Sequence, residues 1–236
     1  MLGEQLPDSV SVVVRLKTID STMDYAKKIA HFPQITIVLA KEQYRGKGRW
    51  GRKWVSPRGG LWFSLILSCI DPDLIQFRAG LATCLAIREL FNIDVEVRWP
   101  NDIVFRGKKL GGILVEHVYD MGKCIVGVGV NVNNRAPSNA VSLSEILGHE
   151  ISIEEILAKI VERFGHILFL SKKELTGELE RVLYGVGRYI LAIDNRGENF
   201  MGIFCGICRS LGLCLELLDG KKVCLEVNRV YRVYWI

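Results

Sequence analysis

The densest chemistry in the chain lies between Gln43 and Leu61, which reads Gln-Tyr-Arg-Gly-Lys-Gly-Arg-Trp-Gly-Arg-Lys-Trp-Val-Ser-Pro-Arg-Gly-Gly-Leu. Glycines at 46, 48, 51, 59 and 60 interleave with six cations, Arg45, Lys47, Arg49, Arg52, Lys53 and Arg58, and no acid occurs from Gln43 to Ile70. Without those six the chain carries 25 Lys and Arg against 26 Asp and Glu, so its whole formal excess of +5 sits in this stretch. A glycine-rich backbone approaches a ligand closely and offers its N–H groups, while the cations repel one another until an anion arrives. This composition predicts a mobile loop that orders around phosphate. It also fits a solvated basic loop, or a nucleic-acid-binding module in which Trp50, Trp54 and Trp62 stack on bases.

Gly46 to Gly51 satisfies G-x-G-x-x-G, and Asp71 stands 20 residues beyond Gly51. A dinucleotide fingerprint must open a helix, however, and Trp54, Val55, Ser56-Pro57 and Gly59-Gly60 oppose one. No Ser or Thr follows a Gly-Lys pair as a Walker A loop requires, and neither a G-x-S-x-G elbow nor an H-E-x-x-H helix occurs. Histidines 31, 117, 149 and 166 fall outside every motif, which argues against a His-based triad. A second cluster reads Arg98-Trp99-Pro100-Asn101-Asp102, then Lys108-Lys109-Leu110-Gly111-Gly112-Ile113-Leu114. Alone, Asn-Asp after proline is a turn and paired lysines are a hairpin tip. Across one hairpin, the same amide, carboxylate and lysine can converge on a phosphate and its Mg2+. Gly111-Gly112 would keep the following strand open to close approach. The Gly-Val-Gly-Val-Asn run from 127 to 131 is expected to face a ligand or a neighbouring backbone rather than core.

These residues need a scaffold, and the flanking patterns supply one. Apolar or β-branched runs predict strands over Val10–Leu16, Ile35–Leu39, Leu61–Cys69, Val95–Trp99, Ile103–Phe105, Leu110–Val118 and Cys124–Val132. Asp20-Ser21-Thr22 offers caps for a helix over Met23–Ala30, ended by Pro33, and Asp71-Pro72 opens a long helix to Phe91. Turns are read at Arg106-Gly107-Lys108 and Asp120-Met121-Gly122, and two helices at Ile153–Leu170 and Lys173–Tyr184. Gly185 and Gly187 mark a boundary, beyond which come short strands at Tyr189–Ile193, Phe200–Cys208, Leu213–Leu218, Lys222–Val227 and Val230–Trp235. The expected organisation is α+β: a mixed sheet with packed helices over residues 1–186, then a small SH3-like barrel over 187–236.

At 236 residues, 49% hydrophobic and 24% charged, the chain has an ordinary globular composition, with no apolar run near the ~20 residues of a membrane helix. The start carries Glu4 and Asp8 and does not read as a signal peptide. Seven cysteines in apolar segments suggest reduced, buried thiols in a cytoplasmic protein. Cys205 and Cys208 form a lone CxxC that does not match a paired zinc site.

Taken together, the motifs resemble the biotin protein ligases. That family's glycine-rich loop is matched by Gly46 to Pro57, its Lys-Trp-Pro-Asn-Asp by Arg98 to Asp102, and its Lys-Leu-x-Gly-Ile-Leu-x-Glu by Lys109 to Glu116. Its Gly-x-Gly-x-Asn is matched by Gly127 to Asn131 and an early Asp-Ser-Thr by Asp20 to Thr22, all in the family's order. Lys47, Arg98 and Met23 depart from the usual Arg, Lys and Asn, keeping charge at the first two but changing its geometry. The resemblance implies a class II synthetase-like catalytic domain that makes biotinyl-5′-AMP from biotin and ATP with Mg2+. It then transfers biotin to a lysine of a biotin carboxyl carrier protein domain. It assigns Ser21, Thr22, Gln43, Gly46, Lys47, Arg49, Lys109 and Gly112 to biotin, and Arg49, Trp54, Asn101, Lys109 and Asn131 to the nucleotide. Lys109, Arg49, Lys47 and Asp102 carry the chemistry, with Asp102 either holding Mg2+ or orienting the incoming lysine. A homodimer is implied as well. Some ten residues before the first strand leave no room for a three-helix reading head, so operator binding is not expected. A lipoate- or octanoate-transferring relative should show Arg-Arg-x-x-Gly-Gly-Gly and His-x-Asp, and neither is present.

Overall fold

The computed structural model describes residues 12–32, 35–69 and 71–236; Glu4, Asp8, Val10, Pro33 and Ile70, named above, lie outside them. Seven strands form one mixed sheet: β1 (Val12–Leu16), β2 (Thr36–Ala40), β3 (Leu61–Ser68), β4 (Val95–Arg98), β5 (Asp102–Phe105), β6 (Lys108–Val118) and β7 (Lys123–Val130). Their order is β1-β2-β3-β7-β6-β5-β4, and only β1–β2 pair in parallel. The β5–β6 turn holds Arg106 at φ 49° and Gly107 at φ 78°, the two left-handed residues a tight hairpin needs to match strand twist.

Alternation along the central strands sends two sets of side chains to opposite faces. Phe63, Leu65, Val126, Val128, Ile113 and Val115 face α2 (Pro72–Phe91) and α4 (Ile153–Ile167), forming the main core. Ile66 and Ile125 face α1 (Thr22–Lys28), with Met23 and Ala26, in a smaller one. Ser21 caps α1 by accepting from the Asp24 N–H, and Pro72 occupies the first turn of α2. A short helix not anticipated from the pattern, α3 (Leu143–Leu147), is nucleated by a reciprocal Ser142/Glu145 capping box. The last helix, α5 (Lys172–Arg181), stops short of the expected Tyr184. Val182 to Tyr184 leave it to hydrogen-bond the β4 edge instead, through Val97 N–Val182 O (2.8 Å) and Tyr184 N–Val97 O (3.0 Å).

Beyond Gly185 and Gly187, both at positive φ, the remaining strands are β8 (Tyr189–Asp194), β9 (Asn199–Ile207), β10 (Leu213–Leu217), β11 (Lys222–Leu225) and β12 (Val230–Trp235). They form an antiparallel sheet in the order β11-β10-β9-β8-β12, whose edges are not paired to each other among the described residues. Its inner side chains Ile190, Phe204, Leu213 and Leu215 join the main core. The cysteines depart from the reduced state expected of them: Cys69 is bonded to Cys124, and Cys208 to Cys224. Parity and apolar context carry no information on which sulfurs the strands bring together. Cys205 does not share a site with Cys208, and of the remaining thiols Cys84 is buried while Cys205 and Cys214 are half-buried.

Candidate active site

A cleft of about 500 Å³ opens on the α1 side of the large sheet, within the usual size for small-molecule sites. Its floor is glycine. Gly112 and Gly129 are register partners on β6 and β7. A Cβ at Gly129 would lie 2.5 Å from Trp54 Nε1, one at Gly112 3.2 Å from Trp54 Cζ3, and one at Gly127 2.6 Å from Met23 Sδ. The strand glycines therefore admit two cleft-lining side chains, where a ligand or a neighbouring backbone was expected.

One end of the cleft is a polar chain. Ser64 Oγ donates to Thr22 Oγ1 (2.8 Å), the Thr22 amide and hydroxyl donate to Gln43 Oε1 (2.8 and 3.0 Å), and Gln43 Nε2 donates to Ser56 Oγ (2.9 Å). The two serines were not singled out from sequence; the only signal is one hydroxyl within the apolar run 61–67 and one before Pro57. Gly46 is buried against this chain, since a Cβ there would sit 2.6 Å from Ser56 Oγ. Ser21 serves as the α1 cap and does not line the cleft.

At the other end the groups are charged. Asp102 opens β5, and a bulge between Ile103 and Val104 resets the register with β6, so Lys109 reaches back along the hairpin. Lys109 Nζ lies 2.6 Å from Asp102 Oδ1, and Arg98 Nη2 3.0 Å from Oδ2. The ammonium also sits 4.9 Å from the Trp54 ring centroid, a cation–π distance. Trp54 Nε1 is buried with no hydrogen-bond partner among the described residues. Asn101 is tied to β6 by Nδ2 donating to Ile113 O (3.0 Å) and by Ile113 N donating back to its carbonyl (2.8 Å). Asn131, expected at the nucleotide, is buried and does not line the cleft, and its Oδ1 accepts from Asn134 Nδ2 (3.0 Å).

Over the cleft runs the basic loop, and most of its charges find partners inside the chain. Lys47 pairs with Asp24, Arg58 with Glu42 (3.3 Å) and Arg45 with Asp20 (3.9 Å). Arg49 donates to the carbonyls of Val227 (2.9 Å) and Val230 (3.3 Å), and Arg52 to that of Tyr231 (3.0 Å). Trp50 packs edge-on to Tyr231 at 5.6 Å. The loop is thus fastened to the start of β12, where composition alone predicted free repulsion. Burial lowers the Arg49 pKa to about 10, opposed by the charge of Asp102, and the guanidinium stays protonated at neutral pH. Trp62 is fully buried and donates to Pro57 O (2.8 Å), so it cannot stack on a base. The β12 wall, with Tyr231, Arg232 and Tyr234, was missed from sequence. Its signal was the aromatic and basic alternation at 231–235.

Fold and cleft define a class of protein in which an arginine-bearing strap and a lysine-bearing hairpin face each other across a cleft that is lined by hydroxyl and amide groups at one end and by charged groups at the other. The sequence pattern of the Biotin/lipoate A/B protein ligase family matches residues 16–133, and the chain belongs to that family. It is 32% identical over 228 residues to the bifunctional ligase/repressor BirA of Bacillus subtilis, covering 86% of this chain and 69% of that one. Identity to the biotin–[acetyl-CoA-carboxylase] ligase of Paracoccus denitrificans is 30% over 210 residues, covering 79% and 86%. The structure of the biotin protein ligase from Aquifex aeolicus in complex with biotin and ATP superposes with a TM-score of 0.85 at 29% identity, covering 96% of this chain and all of that one.

Proposed function

We propose that the protein is a biotin protein ligase, which condenses biotin with ATP to biotinyl-5′-AMP and transfers the biotinyl group to a lysine of a biotin carboxyl carrier protein domain. The observation that carries this reading is Lys109, held by Asp102 beside Trp54 in a cleft whose far end is the Thr22–Gln43–Ser56 chain. Relatives named as biotin ligases support biotin over lipoate.

A carboxylate needs no base to attack the α-phosphorus. The P–O bond to the β-phosphate breaks and pyrophosphate leaves, so the first step calls for charge neutralisation rather than proton transfer. Lys109, Arg49 and Lys47 supply cations around the cleft. Thr22 and Gln43 offer hydroxyl and amide groups suited to a ureido ring, and Gln43 uses one of its two amide hydrogens on Ser56. Trp54 screens the floor and suits an adenine or an acyl chain. In the second step the acceptor amine attacks the acyl carbon, AMP departs with its phosphate oxygen, and the amine loses its proton.

Asp102 faces a cation with each carboxylate oxygen. That pairing makes it a positioning residue for Lys109 and a poor Mg2+ ligand, since hard cations take several oxygen donors. Mg2+ would arrive with the nucleotide's phosphates rather than be held by Asp102. The same reading carries two units over 1–186 and 187–236, closure of the second into an SH3-like barrel, a homodimer and a cytoplasmic location. Among the described residues no helix is long and apolar enough to cross a membrane.

The test is ATP–pyrophosphate exchange. Stimulation by biotin and not by lipoate is expected; stimulation by lipoate alone, or salt-dependent nucleic-acid binding without exchange, would overturn the reading.

A further inference from the structure

Far from the cleft, three ligand-bearing side chains meet on one face of the sheet. His117 on β6 and Cys124 on β7 are register partners. Leu67 on β3 is the partner of Cys124 on its other side, and Cys69, two residues further on, points to the same face. The Cys69 amide extends the ladder by donating to Gly122 O at 2.9 Å. His117 Nδ1 lies 3.3 Å from Cys69 Sγ and 3.3 Å from Cys124 Sγ, and the three ligand atoms fall within 4.8 Å of one another. Five residue pairs, about 17 Å of strand, separate this cluster from Gly112 and Gly129.

One imidazole nitrogen equidistant from two sulfurs is more than a structural cystine needs, and it matches a shared centre. With Zn–S near 2.3 Å and Zn–N near 2.0–2.1 Å, a tetrahedral ion holds sulfur and nitrogen about 3.6 Å apart and two sulfurs about 3.8 Å apart. The nitrogen already stands at that distance from both sulfurs within a few tenths of an ångström. Only the sulfurs must separate, and Cys69 lies one residue past the end of β3 and is half-buried, so its side chain is not held by strand pairing on both sides. Two thiolates and an imidazole suit a borderline-soft cation over Mg2+ or Ca2+.

We propose that Cys69, Cys124 and His117 form a redox-gated site for one zinc-type divalent cation. In the oxidised chain the two cysteines are a disulfide and the site is closed. A dithiol reductant converts the disulfide to two thiols and is itself oxidised to a disulfide. The cation then displaces both thiol protons to solvent and is bound by two thiolates and Nδ1, leaving a fourth position for water. Either cross-link ties the end of β3 to the β6–β7 hairpin.

The probe is Co2+, added to the full chain after reduction with a phosphine and anaerobic removal of the reductant. The expected result is one equivalent of Co2+ bound, with thiolate-to-cobalt absorption and tetrahedral visible bands, displaced by Zn2+. The oxidised chain should give none. Cys69→Ser, Cys124→Ser and His117→Ala should each lose the bands, and Cys208→Ser/Cys224→Ser should keep them. Biotin-stimulated exchange should be unchanged in Cys69→Ser and His117→Ala, which shows that the variants are folded. Absence of Co2+ binding by the reduced chain overturns the proposal, as do bands that survive in the three variants. Bands lost only in Cys208→Ser/Cys224→Ser would move the site to the second sheet and overturn it equally.

Discussion

Lys109 is held by two neighbours of opposite character, the carboxylate of Asp102 at 2.6 Å and the ring of Trp54 at 4.9 Å. Lys109 is partly exposed and Arg98 still pairs with Asp102 when it is removed, so Lys109→Ala should leave the melting temperature near wild type. Loss of one positioned cation at developing phosphoryl charge costs about 3–4 kcal/mol, or about 10²–10³ in rate; single-turnover formation of biotinyl-5′-AMP measures it. Asp102→Asn should slow the same step less, because it loosens the cation without removing it. The floor makes a second prediction. Gly129→Ala places a Cβ 2.5 Å from Trp54 Nε1, so the indole must move and biotin and ATP should bind more weakly. Truncating the obstacle in Gly129→Ala/Trp54→Ala should restore no more than Trp54→Ala alone retains, and this non-additivity can be read from isothermal titration of the three variants.

Among the elements, the basic loop and the second sheet carry the sharpest expectations. Arg49 and Arg52 fasten the loop to carbonyls at 227, 230 and 231. Arg49→Ala/Arg52→Ala should therefore raise amide exchange across residues 45–54 in the ligand-free protein, while the exchange of β3 and β7 stays unchanged. In the same variant an adenylate formed in the cleft is less enclosed and should escape to biotinylate unrelated lysines. At the other sheet, Asp194 accepts from the Arg196 and Glu198 amides (2.9 and 2.8 Å) and from Arg229 Nε (3.0 Å). Burial would raise its pKa, but these donors outweigh it and the net shift is downward. The stability it contributes is full above the ordinary carboxylate pKa near 3.9 and is lost as the pH falls through the lower folded value. The melting temperature of wild type should then fall between pH 5 and pH 2.5 more steeply than that of Asp194→Asn.

Across the whole molecule the two sheets share one core. Ile190, Phe204, Leu213 and Leu215 pack in the same cluster as α2 and the large sheet, and Trp99 Nε1 donates to Leu211 O at 2.9 Å. A chain cut at residue 186 would expose this surface and leave Arg49 without its acceptors. It should neither fold cooperatively nor form adenylate. The full chain should unfold in a single calorimetric transition; two separate transitions would contradict a common core.

Much of this was determined by the sequence alone. Strand and helix periodicity follow from which face must be buried, so the order of the strands and of the longer helices, the Ser21 cap and the tight Arg106-Gly107 turn could be read directly. So could the convergence of Asp102 and Lys109, because a hairpin brings residues seven apart within side-chain reach. What periodicity cannot encode is which distant groups become neighbours. The carbonyls at 227, 230 and 231 that hold Arg49 and Arg52 and the departure of Val182–Tyr184 to the β4 edge both arise from packing between segments far apart in the chain. The cysteines are the plainest instance. Cys69 and Cys124 are 55 residues apart, and only the pairing of β3, β7 and β6 sets their sulfurs beside each other and beside His117.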